Sequence, residues 1–260
     1  MRGRIAILLA GAIAVVATAT SCGEVPTLEN GIAYITFTLP SLAVGVGDVL
    51  RDSLGNPAPL QIRAFDRSGN EIPATDVSWL ATPVPKGNGV TIDANGLVTA
   101  GDTMASVQIV GRVGATLQTT PATLIVVPQP DSISAITGTD TSLTRDLPAL
   151  DTMRVAVTGI YQAARVPVQG ILVRYHIDTV YAAAGTQGYA VLTNAAGVVP
   201  RPDSTTVVDT TKSAAPLPGS AAPTLVAGSG LDSVVVRVRA SRFNGQPLNG
   251  SPVRFVLKRR

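Results

Sequence analysis

The sequence predicts an all-β protein. Its 25 glycines and 19 prolines are scattered along 260 residues and separate many short apolar runs. Such frequent breaks suit short strands better than helices. Within the runs, apolar residues recur at every second position: Leu60, Ile62 and Ala64 alternate with the residues between them. A period of two is typical of a strand that buries one face and exposes the other.

Seven runs of this kind follow one another in the first half at spacings of about ten residues. They read ITFTL, PLQIRAF, DVSWLA, GVTID, GLVTAG, MASVQIVGRV and ATLIVV. About seven short strands with turns between them predict an antiparallel sandwich of the immunoglobulin type.

The segment TIDANGLVTAGD (91–102) allows two interpretations, a calcium loop or a turn between strands. A helix–loop–helix calcium site needs several further oxygen ligands and a closing glutamate. The residues after Gly96 are Leu97, Val98, Thr99 and Ala100. Because Asn-Gly pairs tolerate the positive φ angles of tight turns, we expect a β-hairpin here.

Three motifs together carry a resemblance to a known family. They are Asp66–Gly69 (a D-x-x-G turn), Val77–Trp79 (a V-x-W strand) and Asp93–Ala100 (a D-x-x-G-x-V-T-A hairpin). In this order the residues resemble the group 2 bacterial immunoglobulin-like domain over about residues 31–127. The resemblance implies a β-sandwich in a surface or secreted bacterial protein, and no shared catalytic residues. Trp79 is interpreted as a core residue, with sugar stacking as the alternative.

A second domain is predicted over residues 132–260, after a proline-stiffened linker at 128–131. The segment VPVQGILVRY (166–175) aligns with QPLNGSPVRF (246–255). This repeat indicates either one sandwich that uses a similar hairpin twice, which we prefer, or a domain followed by a partial repeat. The half loosely resembles the immunoglobulin-like domains of invasin and intimin adhesins. Residues 198–224, rich in Pro, Ser, Thr and Ala, are predicted to form a long loop or partly disordered insertion.

Residues 1–21 have the pattern of an export signal. Arg2 and Arg4 precede an uncharged apolar run at residues 5–17, which is too short to span a membrane. The signal ends at Cys22, which is the only cysteine in the chain. This ending resembles a bacterial lipoprotein signal, which implies that Cys22 is lipidated and becomes the mature amino terminus. The alternative is cleavage after Ala17 or Ala19, which leaves a free thiol.

The predicted partner of Cys22 is a membrane, held through acyl chains rather than a spanning helix. Residues 22–30 would be a tether. Gly23 after the cysteine, rather than Asp, resembles the pattern of lipoproteins exported to the outer membrane in two-membrane bacteria. The expected location is therefore the cell envelope, at the periplasmic face or the cell surface. Without its signal the chain has a formal charge of +1, so no binding to nucleic acid is indicated.

The sequence indicates no catalytic site, no metal site and no cofactor. Its single histidine, His176, shares the outward face of a strand with Arg174, and no nucleophile-elbow sequence accompanies it. One histidine and one cysteine are too few ligands for a zinc site. A hydrolase that uses paired aspartates is the remaining enzymatic hypothesis.

One constellation is a candidate binding site. Alternation places five arginines of the second half on outward strand faces: Arg154, Arg174, Arg237, Arg239 and Arg254. If their strands are neighbours, their guanidinium groups would line one sheet and bind sulfate, phosphate or carboxylate groups. The alternative is a solvated face that discourages pairing between sheet edges.

These observations predict two tandem immunoglobulin-like β-sandwich domains after an N-terminal signal segment. The expected protein is a lipid-anchored, non-catalytic adhesion module that binds a surface glycan or an envelope protein. A structural stalk or an assembly component of the envelope, without a soluble ligand, is the alternative.

Overall fold

The computed structural model describes residues 31–84, 89–143, 149–193, 206–212 and 220–259. These residues form β-strands and no helices, so they contain no helix that could span a membrane. The predicted signal, the tether and the lipidation site Cys22 lie outside the described residues, and their assignment stays a prediction.

The first half contains ten strands in the described residues. Their bounds are β1 (Tyr34–Thr38), β2 (Ala43–Gly45), β3 (Gln61–Phe65), β4 (Glu71–Ile72), β5 (Val77–Val84), β6 (Val90–Ile92), β7 (Val98–Ala100), β8 (Ala105–Val113), β9 (Leu117–Gln118) and β10 (Ala122–Val127).

The second half contributes twelve strands in the described residues. Their bounds are β11 (Pro130–Ala135), β12 (Asp140–Leu143), β13 (Ala149–Thr152), β14 (Val155–Tyr161), β15 (Ala164–Pro167), β16 (Leu172–Ala182), β17 (Ala190–Thr193), β18 (Thr206–Thr210), β19 (Ser220–Ala221), β20 (Thr224–Ala227), β21 (Leu231–Ala240) and β22 (Val253–Arg259).

The first half is a sandwich of two sheets. One has the order β1-β3-β4, and the other has the order β2-β10-β8-β5 with β9 paired to β8. Side chains from both sheets share the core, which Ile109 and Leu124 fill from the second sheet. Trp79 is half-buried against this core and meets Phe37 edge-on at 5.6 Å between ring centroids. The interpretation of Trp79 as a core residue is therefore confirmed.

The predicted hairpin at Asn95-Gly96 is confirmed. It joins β6 to β7, and Gly96 adopts a φ of 83°. The Asp93 side chain accepts hydrogen bonds from the backbone N–H groups of Asn95 at 2.9 Å and Leu97 at 2.8 Å. The aspartate that suggested a calcium ligand therefore orders the turn itself.

The second half buries one common core between a large sheet and two smaller ones. The large sheet has the order β12-β22-β21-β16-β18, and the smaller sheets contain β11-β14-β15 with β19, and β13-β20-β17. Fully buried members of this core come from all three sheets, as Val157, Tyr175 and Leu225 show. The predicted fold class, all-β with two tandem β-sandwiches, is thus confirmed in the described residues.

The two halves share a topological feature. In each, a short early strand runs parallel to the last strand: β2 pairs with β10, and β12 pairs with β22. The remaining ladders between the strands are antiparallel.

The long loop predicted at 198–224 is wrong at residues 206–210 and 220–221, and at residue 224, where β20 begins. Residues 206–210 form β18, which pairs with β16, and residues 220–221 form β19, which pairs with β14. The run TTVVDT supplies β-branched residues, and Val207 is buried in the core. Residues 198–205 and 213–219 lie outside the described residues.

The boundary between the halves is shorter than the range predicted as a linker. Strand β11 begins at Pro130, inside that range, and only Pro128 and Gln129 separate it from β10. The Gln129 side chain packs over Gly45, and its Nε2 donates to the Val46 carbonyl oxygen at 3.2 Å. The connection is therefore held against the first half.

The two halves are also in direct apolar contact. Ala43 and Val127, from the first half, belong to the buried core cluster of the second half. Gly170 approaches so closely that an added Cβ would lie 2.5 Å from the Cβ of Ala43. Removing this surface from water stabilises the arrangement of the two halves.

Candidate anion-binding face

Four of the five predicted arginines lie together on the outer face of the large sheet. Arg174 on β16 is directly opposite Arg239 on β21, and Arg237 on β21 is directly opposite Arg254 on β22. Side chains that are directly opposite on antiparallel strands have Cβ atoms about 5 Å apart. The sequence predicted a shared arginine face only if these strands were neighbours. They are neighbours, so these four arginines lie on one face.

The inward face of the same strands explains why the arginines point outward. Tyr175, which lies between Arg174 and His176 on β16, is completely buried. Val238, which lies between Arg237 and Arg239 on β21, is also completely buried. The Tyr175 hydroxyl donates a hydrogen bond to the Ala221 carbonyl oxygen at 2.9 Å. Burial, with the nearby Asp209 carboxylate, raises the pKa of Tyr175 far above its usual value, so the hydroxyl stays protonated.

Arg154 does not belong to this face. It directly precedes β14, whose partners are β11, β15 and β19 rather than strands of the large sheet. Its backbone N–H donates to the Thr137 hydroxyl at 3.0 Å. Alternation predicts on which face a side chain lies, but not to which sheet its strand belongs.

One arginine of the face has a carboxylate partner. Arg237 Nη2 lies 2.9 Å from Asp178 Oδ2. The ladder between β16 and β21 has a bulge at Asp178, which interrupts the alternation of the strand. Sequence alternation did not identify Asp178 as a partner, because an inserted residue shifts the side chains after it.

The other three arginines of the face have no carboxylate partner in the described residues. Among the residues that the structure describes, Arg174, Arg239 and Arg254 make no ion pair and no side-chain hydrogen bond. Like charges directly opposite on neighbouring strands are destabilising. The face therefore carries positive charge that an external anion could neutralise.

His176 extends the polar row between Arg237 and β18. It is exposed, as predicted, and its Nδ1 lies 2.8 Å from the Thr206 hydroxyl. It is opposite Arg237 in the ladder. No group of three or more His, Cys, Asp or Glu side chains within the described ranges is placed to hold a metal ion.

Chemically, this face offers hydrogen-bond donors that can bind an anion. Each guanidinium presents a planar fork of N–H donors that matches the oxygens of a sulfate, phosphate or carboxylate group. Two pairs, in successive rows across three neighbouring strands, provide four such forks. A repeating anionic polymer has the matching distribution of charge.

Comparisons with known proteins found likeness in structures only. No protein-family model matches the sequence, and no curated protein matches it. The Yersinia pseudotuberculosis adhesin InvE is 17% identical with a TM-score of 0.34, over 86% of this chain and 58% of that one. This chain therefore spans less than two thirds of the adhesin chain.

Two further structures are similar at the same level. Domains 4 and 5 of the S-layer protein SbsC are 13% identical with a TM-score of 0.31, over 88% of this chain and 98% of that one. The fibronectin(III)-like modules of Clostridium thermocellum CbhA are 10% identical with a TM-score of 0.31, over 87% of this chain and 94% of that one.

Proposed function

We propose that this chain is a non-catalytic binding module of the bacterial envelope that binds anionic polymers through the outer face of its large sheet. The observation that carries the proposal is the pair of cross-strand contacts Arg174–Arg239 and Arg237–Arg254. A solvated surface gains nothing from arginines placed opposite one another, because their repulsion lowers stability. A surface that binds anions gains adjacent guanidinium forks, of which those of Arg174, Arg239 and Arg254 have no carboxylate partner in the described residues.

The location in the proposal rests on the amino-terminal sequence. The pattern of residues 1–23 supports the proposal of export, lipidation of Cys22 and anchoring in the outer membrane. Acyl chains on Cys22 would hold the sandwiches at the membrane surface, facing the periplasm or the cell exterior. An anionic envelope glycan or an acidic envelope protein is accessible from that position.

A structural stalk is the second candidate, and the contact between the halves favours it. Ala43 and Val127 are buried in the core of the second half, and only two residues separate β10 from β11. A spacer needs this kind of stiff junction. The two candidate functions differ in their need for Arg174, Arg239 and Arg254. Only a binding module needs arginines without a carboxylate partner.

Chromatography on immobilised dextran sulfate tests the proposed function. We expect the full chain to be retained at low salt and the double variant R237S/R239S to elute with the unbound fraction. R154S is the matched control, because Arg154 is an exposed arginine outside the large sheet, and it should be retained like the unchanged chain. Equal retention of all three proteins would refute binding by this face.

A further inference from the structure

A groove of about 640 Å³ lies between the two halves, at one end of the arginine face. Residues 39–42 and 51–55 of the first half form one wall, and residues 170–172, 174, 208, 210, 239–243 and 245 of the second half form the other. Arg174 and Arg239 line it, whereas Arg237 and Arg254 do not. Ligand sites commonly occupy such concave junctions between domains.

The walls of the groove are held together by two similar turns. Residues 51–57 and 241–247 each close with a bridge to a proline, and the glycine of each has a positive φ. The turns meet tip to tip: a Cβ added to Gly55 would lie 2.5 Å from the backbone of Asn244. The groove is therefore preformed, and a ligand would not have to order it on binding.

Two of the four arginines that line the groove already have a carboxylate partner, and Arg242 shares its partner with Arg165. Arg51 contacts the Asp48 carboxylate at 3.0 Å, and Arg242 contacts Asp131 at 3.3 Å. The one acidic lining residue, Asp52, is satisfied by its own turn, accepting the N–H groups of residues 54 and 56, each at 2.9 Å.

The opposed pair Arg174 and Arg239 contributes two positive charges that have no ion-pair partner within the described segments, against the single negative charge of Asp52. One phosphate or carboxylate group could accept hydrogen bonds from both guanidinium forks. The anionic part of a ligand is therefore positioned at this end of the groove.

The rest of the groove contains exposed aliphatic side chains. Four of its large aliphatic side chains are largely open to solvent: Leu42 is 61% exposed, Leu54 77%, Leu172 50% and Val208 47%. Single exposed leucines are ordinary, but a cluster along one groove typically marks a binding site. These side chains have no polar groups with which to recognise a sugar.

We infer that the groove binds an anionic amphiphile, with a phosphate or carboxylate group held by Arg174 and Arg239 and an aliphatic chain along Leu42, Leu54 and Leu172. This inference rests on the proposed function, since it uses one end of the same arginine face. It adds a ligand class, a lipid-like monoester or fatty acid, and a site to which both halves contribute. The two arginines and the aliphatic side chains line the same groove, so one molecule with an anionic group and an aliphatic chain can contact both.

Isothermal titration calorimetry with decyl phosphate, below its critical micelle concentration, tests the inference. The protein is the full chain carrying C22S, so that no acyl chain of its own competes for the groove. We expect decyl phosphate to bind, and inorganic phosphate and decyltrimethylammonium to give no detectable heat of binding. Equal binding of decyltrimethylammonium, or no binding of decyl phosphate, would overturn the inference.

Variants locate the site. R174Q/R239Q and L42S/L172S should each bind decyl phosphate at least about tenfold more weakly. The matched controls R154Q and I160S replace an exposed arginine and a 58% exposed isoleucine outside the groove, and should bind normally. Thermal unfolding of each variant confirms that it folds. If the groove variants bind decyl phosphate as tightly as the controls, the ligand does not bind in this groove.

The two proposals fail in different ways. The protein could fail to bind decyl phosphate and still be retained on dextran sulfate in a way that depends on Arg237. That result would refute the lipid site in the groove and support the polyanion-binding face. Decyl phosphate binding that depends on Arg174, with no retention on dextran sulfate, would remove the polyanion function and leave a lipid site.

Discussion

Gly55 lies against the backbone of Asn244, so that a Cβ at residue 55 would be 2.5 Å from the Asn244 carbonyl carbon. Almost 190 residues separate the two positions in the sequence, and each belongs to a turn with the same hydrogen-bond pattern. This contact closes the base of the groove and fixes the two sandwiches relative to each other. No pattern within either half could have indicated it.

The contact predicts a large effect of G55A. Gly69 is the matched control, because it has the same place in a D-x-x-G turn and a φ of 83°, but an added Cβ there would meet nothing within 4 Å. G69A should lower the free energy of unfolding by about 1–2 kcal/mol through its positive φ alone. G55A should lower it more, and small-angle scattering should show a larger radius of gyration. Equal effects of G55A and G69A would show that the turns do not support each other.

The arginine face predicts a conflict between binding and stability. Replacing Arg239 by Gln removes the repulsion from Arg174, so the free energy of unfolding should stay the same or rise by roughly 0.2–1 kcal/mol. Retention on dextran sulfate should fall at the same time. Urea denaturation measures the first quantity, with R154Q as the control that changes neither. A clear loss of stability in R239Q would mean that Arg239 makes a structural contact.

The aspartate turns predict a defined pH dependence. The pKa of Asp66 is held below its usual 3.8, mainly by the hydrogen bond from the Asn70 side chain, whose Nδ2 lies 3.0 Å from Asp66 Oδ2. Because the folded pKa is lowered, the stabilisation is present above pH 3.8 and is lost as pH falls through the lower folded value.

N70A should therefore raise the pKa of Asp66 towards 3.8, which carboxyl carbon NMR measures directly. N56A should raise the pKa of Asp52 less, because the backbone of Asn56 is the larger cause there and the side-chain contact is longer, at 3.5 Å. A pKa of Asp66 that does not move in N70A would contradict this account of the turn.

The mature amino terminus predicts the compartment. Lipidation would give a mature chain that begins at Cys22 with a diacylglyceryl group on its sulfur. Intact mass spectrometry of protein extracted from membranes measures it, and C22S should release the chain into the soluble fraction. A mass that corresponds to cleavage after Ala17 or Ala19, with a free thiol, would refute the anchor.

Much of the fold could be predicted because strand faces are a local property. Alternation predicted one buried face for Leu60, Ile62 and Ala64, and Leu60 and Ala64 are buried in the structure. It missed β2, β4 and β9, which are only two or three residues long. It also missed β18, because the polar residues around Val207 have the composition of a loop.

The candidate site was predictable only in part for the same reason. Alternation gave Arg174 and Arg237 an outward face, but strand pairing decides which outward residues meet, and pairing is not local. Arg154 therefore lies elsewhere, and Asp178 was not identified as the partner of Arg237. The groove is formed by contacts between the two halves, so the sequence patterns within each half could not predict it.

The most direct test of the central claim is an NMR titration of the arginine Nε–Hε signals with a sulfated oligosaccharide. The account predicts that the signals of Arg174, Arg237, Arg239 and Arg254 shift together and saturably, while that of Arg154 stays in place. Unchanged signals from the four, or an equal shift of Arg154, would contradict binding by this face of the sheet.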